Sequence, residues 1–499
     1  MTDPAPANGT NQLNATVPSS SYTKFQYDAL AKALPGKVSV PSDATYQMSK
    51  ASYFSQQEEQ IIPGCIVTPL NTNDVATAVN ALASVYESSY YSAKFAVKGG
   101  GHTPWAGSAS IEGGAVIDMT SIKAVAVNAD NTITSVGAGA KWTDVYTYLD
   151  SKTLALSGGR AAQVGVGGLT LGGGLSYFSA RKGFVCDNVV NYEIVLANGS
   201  VVNANENTNA DLWIALRGGS NNFGIVTRFD LKTFQQGSFW GGVVYYPITT
   251  APQQLTAFYN FAQDPQYDDY SAVIQSFGFS GSQGSAAVNG LYYTKPQANP
   301  LKLQPFTTIQ PQLASTLRVD SLLNFTVERG ANSPDGLREL YITNTFKNDL
   351  SFLNTVYGKF NDTIKQIEKV TGIIWSLTFQ PIVPAITSKS DPLGGNSQGL
   401  DPSEGPLVNS LLTASWEISS DDPLVNSVAD EFIDGINALA QEAGVFHRFI
   451  YFNYANKTQN PIDGYGAASK AKLQAVSKKY DPDGLFQKGV PGGFKLFAQ

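Results

Sequence analysis

Val164-Gly165-Val166-Gly167-Gly168-Leu169-Thr170-Leu171-Gly172-Gly173-Gly174 places six glycines in eleven residues. Ser157-Gly158-Gly159-Arg160 leads directly into it. Two similar runs stand on either side, Lys98-Gly99-Gly100-Gly101-His102-Thr103 and Arg217-Gly218-Gly219-Ser220-Asn221-Asn222-Phe223-Gly224-Ile225-Val226. Glycine costs chain entropy, so runs of it need a reason. Tight turns at strand ends are one. Bare backbone that approaches a ligand and aims several N–H groups at a pyrophosphate is the other. Turns alone account for a single run. Three runs, one ending in a histidine, favour the ligand.

That histidine is rare, because the chain holds only two, His102 and His447. A three-histidine metal site is therefore excluded, and no metal is expected. No Gly-x-Ser-x-Gly elbow and no Walker-type phosphate loop occur. The dinucleotide fingerprint is also broken, since Thr170 stands where Gly-x-Gly-x-x-Gly needs its third glycine. With 33 basic against 40 acidic residues the net charge is -7, which argues against nucleic acid. No apolar run approaches the roughly 20 residues of a membrane span. Cys65 and Cys186 allow at most one disulfide.

Charged residues are only 15% of the chain, and polarity comes instead from Ser, Thr, Asn and Gln. Asn-x-Ser/Thr sequons stand at Asn8, Asn14, Asn198, Asn324, Asn361 and Asn456. Both features suit a secreted glycoprotein. The N-terminus has no apolar signal core, so either a signal has been removed or the protein is intracellular.

Along the 499 residues, more than one core is expected. Residues 1–22 read as a loose leader. Cys65-Ile-Val-Thr-Pro reads as a strand entering a turn. It is followed by a helix near 73–88 with Val75, Val79, Leu82 and Tyr86 on one face. Lys94–Lys98 and Ala115–Asp118 read as strands. Beyond about 235, Trp240–Tyr246, Ser271–Phe277 and Gly290–Tyr293 are rich in β-branched and aromatic residues with helical stretches between them. An antiparallel sheet covered by helices is expected there, with 388–406 as an irregular loop. A last helix, Ala467–Tyr480, should stop at Asp481-Pro-Asp-Gly.

The order Lys-Gly-Gly-Gly-His, Gly-Gly-Arg, Val-Gly-Val-Gly-Gly-Leu-Thr-Leu-Gly-Gly-Gly, Asp187-Asn188-Val189 and Arg217-Gly-Gly resembles the FAD-binding domain of the vanillyl-alcohol-oxidase/p-cresol-methylhydroxylase (PCMH) flavoproteins. Tyr451-Phe-Asn453-Tyr454-Ala, Tyr480-Asp-Pro-Asp-Gly-Leu-Phe and Pro491-Gly-Gly-Phe resemble the C-terminus of their berberine-bridge-enzyme-like branch. The likeness runs from about Ile61 to the end and is weakest over 240–400. It implies an α+β, two-lobed fold. Residues 1–54 are an extension and leader, 55–235 the PCMH-type FAD lobe and 236–450 the substrate lobe. Residues 451–499 return to the FAD lobe.

The resemblance also implies roles. His102 matches the histidine that bonds covalently to the flavin 8α carbon. Lys98, Gly99, Gly100, Gly101, Thr103 and Gly159 match positions around the cofactor, as do Val164, Gly165, Gly168, Leu169, Gly172 and Gly173. So do Asn188, Val189, Gly224, Ile225, Val226 and Asn453. Ala161 stands where many relatives carry a second, cysteinyl tether, so a single bond is expected. Val164 is small enough to admit oxygen to the flavin. Tyr454 matches the family's catalytic base, with Tyr451 and Gln380 as supporting candidates. By contrast, His447 in Val445-Phe-His-Arg-Phe reads as a satisfied strand residue. The expected activity is that of an FAD oxidase, passing hydride from a small alcohol, sugar or secondary metabolite to flavin and making hydrogen peroxide from oxygen. A tailoring enzyme of secondary metabolism, performing oxidative cyclisation or dehydrogenation, is the near alternative. A non-catalytic flavin-binding protein is the distant one.

Overall fold

The computed structural model describes residues 21–497, so the sequons at Asn8 and Asn14 and nearly all of the 1–22 leader lie outside the described residues. The described residues form a mixed α+β structure on three sheets. In the first, Cys65–Val67, Ala115–Asp118 and Phe95–Lys98 run parallel, with Val38–Ser39 antiparallel at the edge. The helix Thr72–Ser88 buries Val75, Val79, Leu82 and Tyr86, the stripe its 3.6-residue period predicts, and Asn71 caps it by accepting from the Asp74 N–H.

The second helix of this layer has no apolar stripe to announce it. Ser21–Ala33 is helical. Gln26 is buried and donates to the carbonyls of Ala93 and Lys94, while its Oε1 accepts from the Ala115 N–H. Polar side chains thus complete the backbone bonding of the strands beneath.

The second sheet is antiparallel, in the order Val125–Val127, Ile133–Gly137, Ile225–Gln235, Val189–Val195, Val201–Asn205, with Leu154–Leu156 on the far end of Ile225–Gln235. The third has nine strands. Its centre is Phe239–Pro247, Gly284–Tyr293, Ser271–Ser280, Ile374–Ile382, Leu407–Trp416 and Arg338–Lys347 in that order, all antiparallel.

Alternation in these strands separates two faces. Leu340, Ile342 and Phe346, with Trp375, Leu377, Phe379, Leu412 and Trp416, pack beneath the helices Ala251–Gln263, Leu350–Ile367 and Asp422–Glu442. The opposite face carries Glu339, Tyr341 and Thr343 beside Ser415, Thr413 and Leu411, and then Ser376, Thr378 and Gln380. A core face is all apolar; this one is mostly hydroxyl, amide and carboxyl.

The C-terminal helix Ala467–Tyr480 ends at Asp481, whose carboxylate accepts from the Leu485 and Phe486 N–H groups. The segment then returns to the Gly218–Gly224 run: Gln487 bonds Asn222, and Asn222 donates to the Phe494 carbonyl. Cys65 and Cys186 are separate buried thiols. No helix among the described residues is long and apolar enough to cross a membrane.

Candidate active site

The glycines of the three runs do different work. Gly100 and Gly165 cross with their Cα atoms in contact, and a Cβ on either would meet the other's backbone at 2.5–2.6 Å. That crossing locks the loop after Phe95–Lys98 to the start of the helix Val166–Leu171. Gly101 takes a φ of +64° and turns the chain into His102.

Gly168 has open space where a side chain would be, and Gly99 meets only the Ala138 carbonyl at 3.9 Å. These two, with the uncapped first turn of Val166–Leu171, form a cradle of bare backbone. Gly159 is different: its missing side chain makes room for the buried Trp142 ring, and its carbonyl accepts from Tyr146 Oη at 2.6 Å. Gly172 and Gly173 likewise leave room for Asn453 and Gln398, and Gly224 for the Val195 carbonyl and Ile194.

The lysine of the first run turns inward. Lys98 Nζ is fully buried, donates to Ser49 O at 2.5 Å and Ser52 Oγ at 2.6 Å, and pairs with Asp118 at 3.3 Å. Its side chain secures the strand to Ser49, Ser52 and Asp118. The Asn188 amide is also committed, to the Lys182 and Phe184 carbonyls. Val189, Ile225 and Val226 are buried strand residues. Thr103, Val164 and Leu169 remain half-buried beside the cradle.

His102 lies flat on Phe54, with ring centroids 4.1 Å apart and planes 26° from parallel. Burial, with Lys141 adding to it, pushes the imidazole down to about 3, so it is neutral over the whole physiological range. A neutral imidazole has the lone pair that nucleophilic attack on carbon requires.

Tyr454 stands on a 3-10 turn, Phe452–Tyr454. The turn points its phenol between the two lobes. Arg160 Nη2 donates to Tyr454 Oη at 2.8 Å, and the Gln380 amide lies 3.3 Å from the same oxygen. Asn453, the preceding residue, fastens this turn to the glycine helix. Its amide donates to the carbonyls of Gly168 and Leu169, and its Oδ1 accepts from the Gly174 N–H at 3.1 Å. Tyr451 is buried behind Tyr454, rings 4.8 Å apart edge to face, and burial holds its phenol well above the ordinary range. It supports the turn rather than facing the cleft.

Several members of this cluster are absent from the sequence reading. Tyr341 packs edge-on against both Tyr454 and Phe54, linking the phenol to the histidine. Arg329 sits among Tyr292, Tyr177, Tyr454 and Tyr341; burial lowers its pKa, but the four phenols outweigh this and raise it. A charged guanidinium therefore stays beside the cluster. The signal for Tyr341 was present in the alternation Glu339, Tyr341, Thr343 against Leu340, Ile342.

Glu339 is on the same face. Its Oε2 accepts from Ser415 Oγ at 2.9 Å, while Oε1 is buried without a partner. Burial, opposed by Ser415 and aided by Asp335, pushes the carboxyl up to about 8. Since the folded pKa exceeds the unfolded value, the stability this group contributes is fully present below about pH 4.5 and lost as pH rises through about 8. Glu339→Gln should therefore flatten the decline in stability between about pH 5 and 9, by on the order of 3 kcal/mol. Urea unfolding of both proteins across that range checks it, and parallel curves would contradict it.

His447 belongs to the short strand Phe446–His447. Its Nδ1 accepts from the Phe449 N–H at 3.2 Å and its Nε2 faces Glu404 at 3.2 Å. It is remote from this chemistry.

The residues fit an FAD: a backbone cradle with room for a close ligand, a neutral histidine, and a phenol with a cation on the opposite side of the cleft. Residues 63–205 match the family described as FAD binding domain. The chain is 38% identical to "FAD-dependent monooxygenase CTB5" of Cercospora beticola over 94% of this chain and 91% of that one. Its fold matches BBE-like 1 of Physcomitrella patens (TM-score 0.75, 19% identity, 95% and 100% of the chains). It also matches the xylooligosaccharide oxidase of Myceliophthora thermophila C1 (TM-score 0.74, 20% identity, 96% and 100%).

Proposed function

The chain belongs to the FAD-dependent oxidoreductases with an FAD-binding domain, and from that premise we propose that it is a berberine-bridge-enzyme-like oxidase of a small hydroxyl-bearing metabolite. The substrate loses two hydrogens and oxygen takes them up as hydrogen peroxide. FAD, when bound, supplies the two-electron acceptor. His102 would hold it through one covalent bond, and the bare backbone at Gly99 and Gly168 would let its phosphates approach N–H groups. Ala161 offers no second tether.

Tyr454 accepts the substrate hydroxyl proton. It does so as its phenolate, whose negative charge Arg160, 2.8 Å away, holds until the proton arrives, and Gln380 fixes the direction of that oxygen. The hydroxyl groups of Ser376, Thr378 and Thr413 orient a polar substrate across the face of the sheet. The Arg160–Tyr454 contact carries this reading.

The name of the Cercospora relative favours a second reading, in which an oxygen atom enters the product as part of tailoring a secondary metabolite. Turnover of phenolic and alcoholic metabolites under ¹⁸O₂ separates the two. One peroxide per substrate with unlabelled product supports the oxidase. Label in the product, with peroxide below one equivalent, overturns it in favour of the monooxygenase. Export, proposed on the sequons, is supported by the exposed Asn198 and Asn324. Asn456 gives no support, since it is buried and donates to the Tyr341 carbonyl.

A further inference from the structure

The short helix Ser179–Lys182 separates two cavities. Ser179 and Ala180 line a small inner one that also touches Arg160 and Gln380. The next two residues, Arg181 and Lys182, line an outer groove of about 550 Å³, together with Lys232, Lys389, Phe234 and Leu393. Four cations thus converge on one groove in a protein whose net charge is -7.

What holds these cations in place is aromatic rather than acidic. Among the described residues the groove has one salt bridge, Lys389 to Asp269 at 3.3 Å. Lys182 Nζ lies 4.6 Å over the Phe234 ring. The Arg181 guanidinium lies 4.7 Å over Tyr270 and 5.2 Å over Phe178. One arm of Arg181 donates to Gln236 Oε1 at 3.1 Å, and its Nε is buried with no acceptor. Ring faces position a cation without neutralising it.

Burial, then crowding by Arg181, Lys232 and Lys389, holds the Lys182 ammonium below the ordinary lysine range. Asp269 also acts on Arg181, and Asp391 directly precedes the lining residue Pro392. Asp230 is bonded to Arg228, and Asp187 is buried beneath the 388–396 loop, where it accepts from Ser390 and Asn396. Neither pairs with the groove's cations.

One guanidinium and three ammonium groups beside an apolar wall match a tetrahedral dianion on a small organic body. We propose that this groove binds a phosphate group, separately from the flavin site. Its lining shares only Asn188 with the residues matched to the cofactor, and that amide is already committed. Phe234 and Leu393 would take the organic part of a phosphate ester.

Calorimetric titration of the flavin-loaded protein with inorganic phosphate and with phenyl phosphate tests this, using chloride at matched ionic strength as the blank. Saturable binding of one equivalent is expected, weakened about tenfold or more in the double variant Lys182→Gln/Lys232→Gln. Both lysines lie outside the catalytic cluster, so flavin absorbance and thermal midpoint report that the variant is folded. Tighter binding of phenyl phosphate identifies an organic ester as the ligand class, and equal binding identifies free phosphate. No saturable binding of either, or binding unchanged in the folded variant, overturns the proposal.

Discussion

Tyr454→Phe is expected to lower kcat by about 10²–10⁴-fold, the range that loss of a positioned general base produces. Flavin content and thermal midpoint should stay near those of the parent protein. The ring keeps its edge-on packing with Tyr341 and Tyr451, so the change removes one oxygen and little else. Arg160 is left without that acceptor but is only half-buried, so water can replace it. Arg160→Met provides the complementary test. Its phenol is intact, yet no guanidinium holds the charge on its oxygen before the proton arrives, so kcat should fall by about 10²-fold while flavin content stays unchanged. A Tyr454→Phe enzyme with full kcat would remove the phenol from the chemistry. A variant that loses flavin as well as activity would make it a structural residue.

The sequence made some parts of this site legible and hid others, for physical reasons. Glycine density and a rare histidine marked the cradle, because backbone that approaches a ligand needs local, visible chemistry. Composition could not sort the glycines, however. Gly168 faces open space, while Gly159 makes room for Trp142 from a helix about fifteen residues away. Lys98 looked like part of the ligand loop, and only the fold shows its ammonium satisfied by Ser49 and Ser52, nearly fifty residues upstream. The helix Ser21–Ala33 escaped notice because its inward positions include Thr23 and Gln26, and a hydrophobic period does not register polar side chains that bond to strands. Arg329 and Glu339 lie in the stretch where resemblance is weakest. The alternation of Arg338–Lys347, not read as a strand from the sequence, sets one polar face of the sheet, and Tyr341 on that face meets Tyr454.

His102→Ala should move the flavin from the acid-precipitated protein into the supernatant, completely. Completeness matters, because a second tether would hold a fraction back. Ala161 has no nucleophile to offer, and Cys186 is fully buried with its thiol pushed well above the ordinary range, so it is not a thiolate. The glycine cradle does not depend on the imidazole, so the variant should still bind FAD reversibly and fold. Its kcat should fall by on the order of tenfold, the factor that about 1.4 kcal/mol of lost driving force gives when the bond no longer raises the flavin potential. Phe54 explains why the bond can form at any physiological pH. Stacked at 4.1 Å on Phe54 and half-buried, the imidazole is held down to about 3, so it is neutral through the physiological range. Retention of flavin by the wild-type pellet between about pH 5 and 9, and its release from His102→Ala, would together establish the tether. Release from the wild type would leave the cradle and the Tyr454 cluster standing, but as the site of a flavin held by contacts alone.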